Sequence, residues 1–175
     1  MEKNIVLIGF MGTGKSSIGV KLAEKLNMNF VDMDREIERI TGMSVGELFR
    51  RHGEIRFRSE ERLMAQKLSR RKNLVIATGG GVVLQEQNIA LLRENGILIC
   101  LTAAPEDIFE RVKRKRANRP LLKKNLKVED IDAMLKAREP YYSVADFTVN
   151  TSGREIDAVV DDIVNYIKSL EKNSV

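Results

Sequence analysis

The chain is expected to fold as a single α/β domain, with a parallel sheet covered by helices on both faces. Three observations carry that expectation. Five short apolar runs alternate with segments of helical periodicity from one end of the chain to the other. A glycine-rich loop, Gly9-Phe-Met-Gly-Thr-Gly-Lys-Ser16, joins the first apolar run to the first amphipathic segment. The length, 175 residues, fits one domain and is enough to bury a sizeable core.

Each element has its own signal. Residues 4–8 form an apolar run ending at glycine, the pattern of a buried parallel strand. Ile18, Leu22 and Leu26, with Ala23 beside them, mark one face of a helix over 15–26. A second strand is expected at 30–32, then a short helix over 34–40 stopped at Gly42. Ser44-Val-Gly-Glu47 has the spacing of a capping box. A longer helix is predicted for 54–71. An apolar strand follows at 74–78 and runs into Gly79-Gly80-Gly81, which demand a turn or a close approach of backbone. Next come a helix over 88–94, ended near Gly96, and a strand at 97–101. Pro105 suits the first turn of a helix running to 114. A basic loop containing Pro120 precedes a helix over 128–138, which Pro140 is expected to end. The last strand is predicted at 147–150. Ile156, Val159, Val160, Ile163 and Ile167 mark the final amphipathic helix.

Composition excludes several classes. Hydrophobic residues make up 43% and charged residues 31%, as in ordinary globular domains and unlike disordered chains. The apolar runs stop far short of the roughly 20 residues of a membrane span. The earliest of them runs into the glycine motif and not a cleavage site, so no secretory signal is expected. Cys100 is the only cysteine, which rules out an intrachain disulfide, suits a reducing cytoplasm and reads as a small core residue. One cysteine and one histidine, His52, do not make a zinc site. The net charge of +5 is local. Arg111, Lys113, Arg114, Lys115, Arg116, Arg119, Lys123, Lys124 and Lys127 fall in one stretch without an acid, and the remainder of the chain is net negative. Such a stretch suits either nucleic acid or closure over a polyphosphate.

The phosphate loop matches GxxxxGK(S/T) at every required position. Its backbone N–H groups and the helix N-terminus would cradle phosphates. Gly12, Thr13, Gly14, Lys15, Ser16 and Ser17 are the expected nucleotide contacts. Lys15 would reach the β- and γ-phosphates, and the Ser16 hydroxyl would face Mg²⁺, a hard cation that prefers oxygen. A switch GTPase is disfavoured, since the chain has neither an Asn/Thr-Lys-x-Asp tetrad nor an Asp-x-x-Gly. A motor or DNA-processing ATPase would need a larger core and a strand ending in Asp-Glu. A small-molecule or nucleotide kinase remains. Asp32 and Asp34 follow the second strand, at the carboxyl end of the sheet where ligands bind. One carboxylate could join the Mg²⁺ shell and the other could orient or deprotonate an acceptor hydroxyl. Both also read as the acid-enriched start of a helix.

Taken together these residues resemble shikimate kinase. The resemblance rests on the phosphate loop with Asp32-Met-Asp34, Gly53-Glu-Ile-Arg-Phe-Arg58, Thr78-Gly-Gly-Gly81, Arg119-Pro-Leu-Leu122 and Arg138-Glu-Pro-Tyr-Tyr142, in order over essentially the whole chain. It implies a three-layer P-loop NTPase fold of the nucleoside monophosphate kinase type, with strand order 2-3-1-4-5. It also implies transfer of the ATP γ-phosphoryl to the 3-hydroxyl of shikimate. By motif, Asp34, Arg58, Gly79, Gly80, Gly81 and Arg138 would bind shikimate, the two arginines on its carboxylate. Asp32 would accompany Ser16 at Mg²⁺, Arg119 would reach the ATP phosphates from a lid over 111–127, and Arg154 would lie near adenine. Lys15, Asp34 and Arg119 are the expected catalytic residues. The shikimate-binding region would span about 32–62 of a single domain, 1–175. A cytoplasmic monomer that binds neither membrane nor nucleic acid is the accompanying expectation. Two other readings stay open: a related kinase for gluconate or a nucleoside monophosphate, and a nucleotide or nucleic-acid binder that uses the basic stretch.

Overall fold

The computed structural model describes residues 2–114 and 125–174. Its elements run β1 (Asn4–Ile8), α1 (Lys15–Leu26), β2 (Asn29–Asp32), α2 (Met33–Thr41), α3 (Val45–Ser69), β3 (Leu74–Ala77), α4 (Glu86–Glu94), β4 (Gly96–Thr102), α5 (Pro105–Arg114), α6 (Val128–Tyr142), β5 (Phe147–Asn150) and α7 (Ile156–Lys172). The five strands form one parallel sheet in the order β2-β3-β1-β4-β5. That is the expected architecture.

Alternation along the strands builds the layers. Ile5 and Leu7 of β1 face α1 and α7, where Ile18, Leu22, Val160 and Ile163 complete one core. Val6 and Ile8 face the other way, against Met33, Ile37, Phe57, Met64, Leu68 and Leu92 from α2, α3 and α4. Burying each such side chain contributes roughly 1.5–3 kcal/mol. A third, smaller cluster gathers Phe10, Ile108, Val112 and Ile131 under α5 and α6, beside the phosphate loop. Every strand therefore points its carboxyl end at the same rim.

Four details depart from the sequence reading. The helix expected from Glu54 begins at Val45 and passes through Gly53, where φ 81° and ψ 173° break it into two helical pieces. Only glycine holds that conformation at low cost. At the start of α3 the Ser44 hydroxyl accepts from the Glu47 N–H at 3.1 Å. The glutamate does not complete a capping box; it pairs with Arg51 at 3.0 Å. Pro140 does not end α6, which continues to Tyr142. Tyr142 is packed against two of the core clusters, so tertiary packing offsets the one backbone bond that proline forgoes. A 3-10 turn over Val82–Leu84, not anticipated, follows the three glycines. Of the segment 111–127 expected as a lid, 111–114 complete α5 and 125–127 lead into α6. Arg119 lies outside the described residues.

Candidate active site

A cleft of about 380 Å³ opens along the sheet's carboxyl rim. The phosphate loop forms its floor, with Gly12, Thr13, Gly14, Lys15, Ser16 and Ser17 all lining it. The loop is held from inside. Lys15 Nζ donates to the carbonyls of Gly9 at 2.7 Å and Phe10 at 2.9 Å. The Thr13 hydroxyl donates to the Phe10 carbonyl at 2.8 Å. From outside, the Arg111 guanidinium donates to the Gly12 carbonyl at 3.0 Å, and the Thr151 hydroxyl lies 3.1 Å from the Thr13 carbonyl. Two elements distant in sequence thus fix the loop's curvature.

Ser16 and Asp32 meet at the edge of this floor. The serine hydroxyl donates to Asp32 Oδ2 at 2.7 Å, while Asp32 Oδ1 caps α2 by accepting from the Arg35 N–H at 3.2 Å. Asp32 therefore serves as both helix cap and cleft carboxylate. Among the described residues no group of three or more His, Cys, Asp or Glu side chains could hold a metal alone. An adjacent hydroxyl and carboxylate suit Mg²⁺, which keeps water and phosphate oxygens as its other ligands.

The three glycines after β3 are the hub of the second half. A β-carbon on Gly79 would stand 2.7 Å from Asp34 Oδ1 and 3.0 Å from Glu61 Oε2. One on Gly81 would stand 2.3 Å from Arg58 Nη1. The missing side chains let these charged groups close on the backbone. Between them, the Gly80 carbonyl accepts from Arg138 Nη1 at 2.7 Å, and the Arg138 guanidinium lies over the Phe10 ring at 5.3 Å. Arg58 is held by Glu61 at 2.6 Å and Glu54 at 3.3 Å.

Every described residue expected from sequence is near this rim, but not all share one hollow. Asp34, Gly79 and Gly80 line the main cleft. Arg58 lines a second hollow, with Glu54, Arg62 and Gln85. Arg154 lines the main cleft and is anchored to α7 by Asp162 at 2.7 Å.

Four residues at or beside the site were given no individual role by the sequence reading. Arg111 and Arg114 line the cleft from α5; in sequence they merge into the basic stretch. Thr151 lies in the Asn150-Thr-Ser-Gly-Arg154 segment, from which only Arg154 was singled out. Glu61 is 1% exposed, and burial pushes its carboxyl from an ordinary 4.5 up to about 7 despite the Arg58 charge beside it. Its position three residues after Arg58 on a helix was the available signal.

The geometry joins a polyphosphate cradle to a pocket that carries both anionic and cationic groups. Comparison with known proteins decides its lineage. The profile of the shikimate kinase family matches residues 11–168. A shikimate kinase of Pelotomaculum thermopropionicum is 53% identical over 166 residues, covering 95% of this chain and 96% of that protein.

The chain belongs to the shikimate kinase family.

A second relative in the family, from Caldanaerobacter subterraneus, is 47% identical, with 95% of this chain and 97% of that one covered. Among solved structures, the shikimate kinase of Acinetobacter baumannii in complex with shikimate superposes with a TM-score of 0.91 at 38% identity. That match covers 97% of this chain and 94% of the other. Membership places the chain among ATP-dependent kinases, phosphotransferases with an alcohol acceptor.

Proposed function

We propose that this chain phosphorylates the 3-hydroxyl of shikimate, giving shikimate 3-phosphate and ADP on the route to chorismate and the aromatic amino acids. The observation that carries the reading is the hub at 79–81. It gathers Asp34, Arg58 and Arg138 beside a phosphate loop. An acceptor with one carboxylate and several hydroxyls fits that set. The guanidinium groups of Arg58 and Arg138 match a carboxylate in charge and fork geometry. Asp34 accepts hydrogen bonds from hydroxyls. A nucleoside monophosphate would leave Asp34 facing a dianion.

In the reaction the acceptor oxygen attacks the γ-phosphorus, its bond to the bridging oxygen breaks, and ADP departs. Asp34 receives the hydroxyl proton. Lys15 and the N–H groups of Gly12, Thr13, Gly14, Ser16 and Ser17 stabilise the charge spread over the phosphate oxygens. Ser16 and Asp32 would hold Mg²⁺, which when bound neutralises phosphate charge. Arg154 would lie near the adenine base, and Arg114 lines the same cleft. Arg119 would bring a further positive charge to the phosphates, from a lid over 111–127. The shikimate-binding region would be 32–62 of one domain, working as a cytoplasmic monomer without nucleic acid or membrane.

The test is ADP release from ATP and Mg²⁺ with shikimate, gluconate or AMP as separate acceptors. Saturable release with shikimate alone is expected. Release with gluconate or AMP in its place would overturn the acceptor assignment while sparing the phosphate loop.

A further inference from the structure

Glu61 is buried in the hub, yet only one of its oxygens is satisfied. Oε1 accepts from Arg58 Nη1 at 2.6 Å. Oε2 has no hydrogen-bond partner among the described residues, and it faces Gly79, where a β-carbon would stand 3.0 Å away. The charged groups around it come from three elements: Arg58, and beyond it Glu54, on its own helix; Asp34 from α2; and Arg138 from α6. A buried carboxylate left half-satisfied is costly when ionised and comfortable when protonated. An exposed glutamate would suffice merely to brace Arg58, as Glu54 does from the other side.

We propose that Glu61 is a proton-linked positioning residue: it braces Arg58 as a carboxylate before the acceptor binds, and it takes up a proton when the acceptor's carboxylate engages Arg58 and Arg138. This rests on the acceptor reading given above. Before binding, the two arginines are the charges that favour the ionised form of Glu61. An incoming carboxylate draws on the same guanidinium groups and adds a negative charge to the hub. A solvent proton on Oε2 removes the repulsion and leaves the net charge of the pocket unchanged. Burial and the Asp34 charge already hold the group at about 7, against the pull of Arg58 and Arg138. It is therefore poised near neutrality, roughly half protonated at about pH 7. With acceptor bound, the value rises further. Acceptor affinity then falls by up to about tenfold per pH unit between the two values. ATP affinity does not share this dependence.

Calorimetric titration of the full chain with shikimate, in buffers of differing ionisation enthalpy, reads the proton directly. The wild type is expected to take up roughly half a proton per acceptor at about pH 7 and almost none at about pH 5. The Glu61→Gln variant is expected to show no buffer dependence and a flat pH profile of shikimate affinity. Shikimate binding without proton uptake by the wild type overturns the proposal, as does full uptake by the variant. Absence of both binding and turnover with shikimate overturns the acceptor reading, and this proposal with it. Should the variant not fold, infrared difference spectra of the wild type decide. At a pH above neutrality, shikimate must raise the band of a protonated buried carboxyl, and a spectrum without that band overturns the assignment.

Discussion

Two positions at the hub have separable effects. In the proposed reaction Asp34 accepts the acceptor's proton, so Asp34→Asn would remove the base and keep the shape. A general base contributes about 10²–10⁴-fold, and kcat is expected to fall within that range while the KM for ATP stays put. Steady-state kinetics with each substrate varied in turn checks both halves. Gly81 offers a contrasting case. A methyl group there would stand 2.3 Å from Arg58 Nη1 and 2.6 Å from Nη2, so the guanidinium must move. Gly81→Ala is expected to raise the KM for shikimate on the order of tenfold to a hundredfold, with ATP kinetics little changed. An unaltered KM would remove Arg58 from the acceptor's partners. Position 81 was legible in the sequence as a turn. That its missing β-carbon makes room for an arginine became visible only when α3 and the 79–81 segment were seen side by side.

At the scale of elements, α3 carries the most consequence. It is one helical rod in outline, interrupted at Gly53, and its second half delivers Arg58 and Glu61 from the same face. Among the described residues nothing lies within 4 Å of a β-carbon on Gly53, so Gly53→Ala would clash with none of them. Its cost is the backbone alone, about 1–3 kcal/mol for a side chain forced into that region. An unfolding free energy lowered by that amount, read from urea denaturation, is the expected result; an unchanged value would mean the two halves of α3 can realign cheaply. The sequence displayed both halves, one as the Ser44 cap and one as the long helix after Glu54, but not their direct join. Local signals end at a glycine, whereas packing of Leu48, Phe57 and Met64 into one core holds the halves in line. Pro140 teaches the same lesson in reverse: a residue that breaks isolated helices is carried through by the anchored ring of Tyr142.

Across the whole molecule, the buried carboxyl proposed to assist acceptor binding also bears on stability. Glu61 titrates at an ordinary 4.5 once unfolded and at about 7 when folded, so the folded state holds the proton more tightly. Its contribution is fully present below about 4.5 and is lost as the pH rises through about 7. Denaturant titrations from mildly acid to neutral pH are expected to show this fall in the wild type and a flatter profile in Glu61→Gln. A variant that follows the wild-type curve would assign the fall to another group. By itself the sequence determined the alternation of strands and helices, the phosphate loop and the identity of most charged residues around it, because these depend on periodicity and on backbone chemistry within a few residues. Strand order was legible only through likeness to a family, since alternation alone does not say which strands pair. The same likeness grouped Asp34, Arg58 and Arg138 with the three glycines; only the tertiary structure decided that Glu61 joins them and how closely they approach the backbone. It also decided that Arg111 and Thr151 grip the phosphate loop from afar and that Glu61 is cut off from water. The physical reason is that convergence and desolvation are set by packing between elements far apart in the chain, and no window of local sequence contains them.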